Sequence, residues 1–223
     1  GKITAGSLTI GDGSNGNITV EGVSSTDSDQ FGLVTLNATA SGSSVTFETT
    51  DSFFQGLTVN AADGITISSN LTTNGTTSFN SDSNATGIGD FILSSSLSTT
   101  NNALSVTANG LVLTGTLSSG TAGTTILASQ ATSTIGLGAS NCGGTCGISL
   151  TSTELASITA GSLNIGDGTN GNITVEGVSS TDSDQFGALT LNATASGSSF
   201  TFETADSFFL GLTVNAADAI NIS

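Results

Sequence analysis

The chain of 223 residues has no proline, histidine, methionine, tryptophan or tyrosine, and its single basic side chain is Lys2. Without histidine, general acid–base chemistry falls to carboxylates alone, and an anionic transition state has one cation to lean on. The net charge of −16 argues against nucleic acid as a partner, since affinity for phosphate comes from Lys and Arg, and it argues equally against an anionic membrane. No apolar run reaches the roughly 18 residues of a membrane-spanning helix, so no membrane insertion is expected. An N-terminal signal peptide and an initiator methionine are also lacking, which leads us to expect a processed or internal segment of a longer chain.

What the chain does have is glycine, 30 residues of it, with abundant Ser, Thr and Asn and 17 acidic side chains. An acidic chain with almost no bases suits a cation-rich exterior, where like charge keeps a polymer soluble and discourages side-by-side clumping. It also has itself: residues 3–68 return as residues 158–223, shifted by 155 positions over 66 residues with nine differences. We divide the chain accordingly into a first unit, 1–156, and the start of a second, 157–223. Self-similar units stack to make length, whereas a catalytic site needs one place unlike all others, so a structural, non-catalytic role is expected.

Apolar residues alternate with a period of two. Leu8 and Ile10, Ile18 and Val20, Leu36 and Ala38, Val45 and Phe47, Leu57 and Val59, and Ile65 and Ile67 each share a face, with Thr, Asn or Glu between or beside them. Helix is therefore nearly excluded. The pairs recur every 10–12 residues between turns such as GDGSNG at 11–16, which fits many short strands. A β-sandwich shows similar spacing, but small polar outward residues stack well in ladders, and the long period has no linker at its seams. The expected fold is all-β, a parallel β-solenoid; at about 20 residues per turn one unit holds about seven to eight rungs and advances about 35 Å. Differences between the copies follow the pattern: Thr9 and Thr66 become Asn164 and Asn221 on the outside, while Val45 becomes Phe200 and Leu33–Val34 becomes Ala188–Leu189 in the expected core. The stretch 69–157 keeps apolar doublets at Phe91/Leu93, Leu104/Val106 and Leu111/Leu113, so rungs continue through it.

Few residues suggest chemistry. Cys142 and Cys146, in NCGGTCG, have no nearby His or further Cys to complete a zinc site, which leaves a disulfide closing a tight loop. Asp12, Asp27 and Asp29, with their counterparts Asp167, Asp182 and Asp184, lie in polar loops. Clustered carboxylates are what Ca²⁺ needs, yet Asp at a turn also caps backbone N–H groups, and the EF-hand pattern is not met. No other cofactor is expected. The eight Asn-x-Ser/Thr sequons, at Asn17, Asn37, Asn70, Asn74, Asn84, Asn172, Asn192 and Asn221, are close to chance in a chain this rich in Asn, Ser and Thr. A Thr-lined ice-binding face would need T-x-T on every rung, and the outward set mixes Thr with Asn, Glu and Ser.

The stretches LTIGDGSNGNITVEG, LTLNATASGS and LTVNAADGITIS resemble the repetitive shafts of large bacterial surface exoproteins of the filamentous haemagglutinin type. That resemblance implies a right-handed parallel β-helix, that is, a right-handed parallel β-solenoid, serving adhesion at the cell surface or in an extracellular filament. The partners it implies are the chain itself, as a continuous array or as end-to-end stacked subunits, and a host or neighbouring cell surface or its glycans. A carbohydrate-active β-helix enzyme or a carbohydrate-binding module is the alternative, as is a surface-layer protein.

Overall fold

Side chains that alternate every second residue give each segment one face to bury and one to leave in water, and short strands of this kind can bury it by winding around a common interior. In the computed structural model, which describes residues 4–139 and 146–223, the chain winds into a parallel β-solenoid of about nine turns. The first coil carries β1 (Ala5–Ile10), β2 (Ile18–Val20) and the short helix α1 (Ser25–Ser28). The second carries β3 (Phe31–Ala38), β4 (Val45–Phe47) and β5 (Ser52–Phe54); the third, β6 (Leu57–Ala61), β7 (Ile65–Ile67) and β8 (Leu71–Thr73). Next come β9 (Thr77–Asn80), β10 (Phe91–Leu93) and β11 (Ser96–Ser98), then β12 (Leu104–Ala108), β13 (Leu111–Leu113) and β14 (Thr116–Ser118). The sixth coil holds β15 (Gly123–Ala128), β16 (Ile135–Gly138), β17 (Ile148–Leu150) and the helix α2 (Ser152–Ala156). The chain ends with β18 (Ile158–Ile165), β19 (Ile173–Glu176) and α3 (Ser180–Ser183), then β20 (Phe186–Ala193) and β21 (Phe200–Phe202), and finally β22 (Gly211–Ala216) and β23 (Ile220–Ile222).

Three faces result. The first stacks β1, β3, β6, β9, β12, β15, β18, β20 and β22, all parallel. The second runs from β2 through β4, β7 and β10 to β13, and then from β17 through β16, β19 and β21 to β23. The third is β5, β8, β11 and β14, onto which the first residues of β18 are laid by pairing Leu117 with Ile158.

One inward column of the first face passes through Leu8, Val34, Leu57, Thr77, Leu104, Thr124, Leu163, Leu189 and Leu212. Leu163 is thus six steps from Leu8. Seven to eight rungs of about 20 residues were expected; the coils are longer because turns are inserted at the corners, and six rungs on this face advance about 29 Å at ~4.8 Å each. Between the first and second faces the gap runs from Leu36 to Val45 in one coil, Val59 to Ile65 in the next and Phe79 to Phe91 in the third, yet the strands on both sides stay in register.

The interior is a continuous apolar column in which Phe47, Phe79, Phe91 and Phe200 are fully buried. Phe79 and Phe91, brought from two faces of one coil, sit with ring centroids 5.3 Å apart. Where the column takes Thr77 or Thr124 in place of Leu, the hydroxyl is satisfied internally, by Thr73 Oγ1 at 2.6 Å and by Ser119 Oγ at 2.8 Å. Val45 and its counterpart Phe200 are both fully buried, as the alternation requires. Leu33 departs from the expectation: it is 39% exposed, and its counterpart Ala188 is exposed too, because Val34 and Leu189 take the inward positions. Helix amounts to 6%, in three short turns among the described residues.

The sixth coil breaks the simple winding. β17 comes after β16 in the chain but lies on the other side of it from β19, so the order along the second face is β17, β16, β19. The sequence reading of continued rungs holds for this coil, but the doubling-back was not foreseen. Its length, from Thr124 to Leu163, follows from carrying two strands on one face.

Because a core phenylalanine has no room to be replaced by rearrangement in so regular a stack, Phe79→Ala is expected to cost roughly 3–5 kcal/mol. Its outward neighbour Ser78→Ala should change stability by less than about 0.5 kcal/mol. Denaturant unfolding of the two variants checks the inside/outside assignment, and equal effects would contradict it.

Candidate functional site

Each of the six aspartates singled out by their loops is turned toward its own chain. Asp12 follows Gly11, whose φ is +84° and whose missing Cβ would lie 2.2 Å from the Asn37 carbonyl oxygen, so only glycine allows the loop to close onto the next coil. The Asp12 carboxylate then accepts from Ser14 Oγ at 2.7 Å and Ser14 N at 2.8 Å, and these bonds, side chain first, hold its carboxyl below the usual range. Asp167 repeats the arrangement with Thr169, accepting from its Oγ1 and N at 2.7 Å each. Asp27 accepts from Ser24 N and Oγ at the start of α1, and Asp182 from Ser179 N at 2.8 Å and Oγ at 2.7 Å at the start of α3. For Asp182, partial burial pushes the carboxyl up, but the bonds from Ser179 and from Ser152 outweigh it and the net shift is downward. Asp29 and Asp184 each accept from the neighbouring glutamine, Gln30 and Gln185. These are the bonds of turn and helix-start aspartates. Among the described residues no three His, Cys, Asp or Glu side chains gather closely enough to hold a metal ion.

Two other carboxylates, Asp82 and Glu154, tie separate segments of the chain together. Asp82 is buried, 2% exposed, in the turn after β9. It accepts from Thr86 N and Gly87 N in its own turn, both at 3.0 Å, and from Ser129 Oγ at 2.6 Å and Gln130 Nε2 at 3.0 Å two coils away. Burial pushes its carboxyl up; the bonds from Ser129, Gln130, Gly87 and Thr86 outweigh that and hold it below the ordinary value. The inserted turn 82–89 is thereby stapled across the edge of the stack. Glu154 is the second. It closes a capping box with Thr151, Thr151 N donating to Oε2 at 2.9 Å and Glu154 N donating to Thr151 Oγ1 at 3.3 Å. Its other oxygen, Oε1, accepts from Leu113 N at 3.0 Å, a backbone donor of β13, which among the described residues has no strand paired on its far side. The T-x-x-E spacing is a sequence signal for the cap. Nothing in the sequence marks Asp82, whose partners are 47 and 48 positions away.

The outward surfaces are ladders. On the first face Thr9, Thr35, Thr58, Ser78, Ser105, Thr125, Asn164, Thr190 and Thr213 follow one another in register. This column is more regular than the mixed sequence suggested, but the neighbouring one is not: Asn37, Asn60, Asn80 and Thr107 give way to Leu127. The amides of Asn60 and Asn37 bond at 2.9 Å, and those of Asn215 and Asn192 at 2.8 Å, tying successive coils. At the edge of the second face Glu203 lies against Glu176, and burial, the bond to Glu176 and its charge raise the Glu203 carboxyl.

Cys142 lies outside the described residues; Cys146 is described and is disulfide-bonded. It sits just before β17, on the segment by which the chain doubles back. Among the described residues no helix is long and apolar enough to cross a membrane.

The fold places the chain in the class of parallel β-solenoid proteins. It matches no protein-family model, no curated protein and no solved structure.

Replacing Asp82 by Asn puts an amide N–H₂ among groups that all donate, and is expected to cost roughly 1–3 kcal/mol. The folded carboxyl titrates below its unfolded value, so its contribution is present above an unfolded pKa of about 3.9 and is lost as pH falls through the folded one. Thermal melts should therefore show the wild type losing its advantage over Asp82→Asn below about pH 4; a gap between the two that stays constant down to pH 2 would show that Asp82 acts otherwise.

Proposed function

We propose that the chain is a structural, non-catalytic segment of an extracellular filament or cell-surface adhesin, a shaft of the filamentous haemagglutinin type assembled from tandem 155-residue units. The observation that carries this reading is commensurability. The recurrence of 3–68 at 158–223 coincides with a whole number of coil steps, Leu8 to Leu163, so that β18, β19, α3 and β20 repeat the places of β1, β2, α1 and β3 along one axis. Units of that kind extend a rod without a seam. Charge placement agrees: the nine strands of the first face contain no charged residue, and the acids lie in turns, in helices and at the edges of the second face, where they keep rods dispersed. The partners of such a shaft are its own neighbouring units, with a host or neighbouring cell surface or its glycans beyond them.

An antibody raised against residues 3–68 should label thin rods on intact cells or in the medium, on a polypeptide several units long in denaturing gels. Labelling confined to the cytoplasm, or a native polypeptide of about the 21.7 kDa of this chain, would overturn the reading.

The same location favours a Cys142–Cys146 disulfide, because such bonds persist in oxidising exteriors. Peptide mass spectrometry without reduction should show the pair two hydrogens light in protein collected from outside the cell. Both thiols free to alkylating reagent in that material would refute it.

A further inference from the structure

An asparagine followed by glycine is a chemically labile pair, because the glycine N has no side chain to crowd it and stands next to the asparagine side chain. When that N attacks the Asn Cγ, an N–Cγ bond forms and the Cγ–Nδ2 bond breaks. The glycine N–H proton leaves with Nδ2 as ammonia, and water reopens the five-membered imide at either carbonyl, giving aspartate or isoaspartate. Two freedoms are needed: an N–H not already committed to an acceptor, and a side-chain amide able to bring Cγ over it.

The chain has four such pairs, at 15–16, 74–75, 109–110 and 170–171, and the fold restrains three of them. Asn170 is buried; its Oδ1 accepts from Asp167 N at 2.6 Å, its Nδ2 donates to Gly171 O at 2.9 Å, and Gly171 N donates to Ser133 O at 2.8 Å. Asn15 makes the same two side-chain bonds, with Asp12 N and Gly16 O. Asn109 donates to Asp90 Oδ1 at 3.3 Å, and the same carboxylate lies against Gly110, where it opposes loss of the amide proton. The three Asp-Gly pairs are restrained as well. Ser14 and Thr169 bind the carboxylates of Asp12 and Asp167, and after Asp63 the Gly64 N donates to Ser81 O at 2.9 Å.

Asn74 has none of these restraints. It is exposed, at the corner where the chain leaves β8 on the third face for β9 on the first. Among the described residues neither its side-chain amide nor the Gly75 N–H makes a hydrogen bond. The backbone to either side is held, Asn74 N donating to Phe54 O and Thr77 N to Ala103 O, both at 3.0 Å. The pair opens on a hollow of about 630 Å³, with room for the imide to form and for water to reach it. Asp29, the carboxylate on that hollow, is engaged by Gln30 Nε2 at 2.6 Å.

From this contrast we propose that Asn74–Gly75 is a self-modifying site: the folded protein converts Asn74 to aspartate and isoaspartate, with its own backbone as nucleophile and water as the co-reactant, while Asn15, Asn109 and Asn170 are spared. The methylene that isoaspartate adds to the backbone has no room on the inner side, since a Cβ on Gly75 would already lie 2.5 Å from Gln55 O. It bulges into the hollow instead, and β8 and β9 keep their partners on both sides. Each conversion places one more negative charge on a chain that already carries −16. The inference stands apart from the shaft reading.

The test is to hold the 223-residue chain at neutral pH and physiological temperature over weeks, with circular dichroism verifying the fold, and to map its peptides by mass spectrometry. The Asn74 peptide should gain the mass difference between OH and NH₂ and split into two isomers, one of them a substrate for an isoaspartyl methyltransferase. The peptides of Asn15, Asn109 and Asn170 should convert at least roughly tenfold more slowly, the effect of having to break a good hydrogen bond first. In denaturant the four rates should converge. Asn74→Gln, which sets the carbonyl one carbon further from the glycine N, should remove the reaction at that position. An Asn74 that persists unconverted in the folded chain overturns the proposal, as does any of the other three converting there as fast as Asn74.

Discussion

Every element of this protein depends on the parallel hydrogen-bonded ladder between one coil and the next. Most of the strands are only three residues long, far too short to hold a conformation alone, and each acquires its stability from the strand on either side along the axis. The ladder demands that inward side chains stack on inward ones. It therefore converts a period-two alternation into columns: a leucine column, a column that alternates Leu, Val, Ile and Phe, and outside them columns of Thr and Asn. It demands nothing of the corners, where turns of different length leave and rejoin the stack.

This division explains where the charge and the chemistry of the chain lie. Outward strand positions accept small uncharged side chains that stack on their own kind, and amide pairs such as Asn37 with Asn60 add a bond from coil to coil. Carboxylates stacked side by side repel, and the Glu203 carboxyl is raised, first by burial and then by Glu176 beside it; the acids are accordingly kept off the first face, at corners, helix starts and strand ends. There Asp12 and Asp167 bind the backbone of their own turns, Asp27 and Asp182 that of their helix starts, and others reach the next coil, as Asp51 does to Asn70 and Asp90 to Asn109. Asp82 is an exception in reach, binding two coils away, and it is spent on holding a long insertion against the body.

Much of the fold was legible in the sequence because a ladder is a local rule repeated. Leu8 with Ile10, Val45 with Phe47 and Ile65 with Ile67 declare their faces by spacing alone, and two copies of one stretch confirm which positions vary as polar and which as apolar. Leu33 misled because an apolar side chain beside Val34 could be assigned to either face, and only the neighbouring coils decide between them. The coil length was misjudged because corner insertions carry no periodic signal. Asp82 and the order β17, β16, β19 were illegible for a stronger reason: both depend on contacts between segments far apart in the sequence and on a return of the chain that composition does not announce. The loop aspartates were read with two alternatives; Asp12 and Asp167 close turns, Asp27 and Asp182 bind helix starts, and Asp29 and Asp184 accept from the neighbouring glutamines.

The doubled-back sixth coil has a mechanical consequence. A rod pulled along its axis loads its coil interfaces in series, and the interface with the fewest ladder bonds yields first. Between the third and fourth coils all three faces are paired, β6 with β9, β7 with β10 and β8 with β11. Between the fifth and sixth, β12 pairs with β15 and β14 with the start of β18, while β13 and β17 lie side by side without pairing. Glu154, reaching across to Leu113 N, bridges that gap with a single side chain. In the tandem array proposed above this joint would recur once per unit, and tension would open the stack first at evenly spaced points.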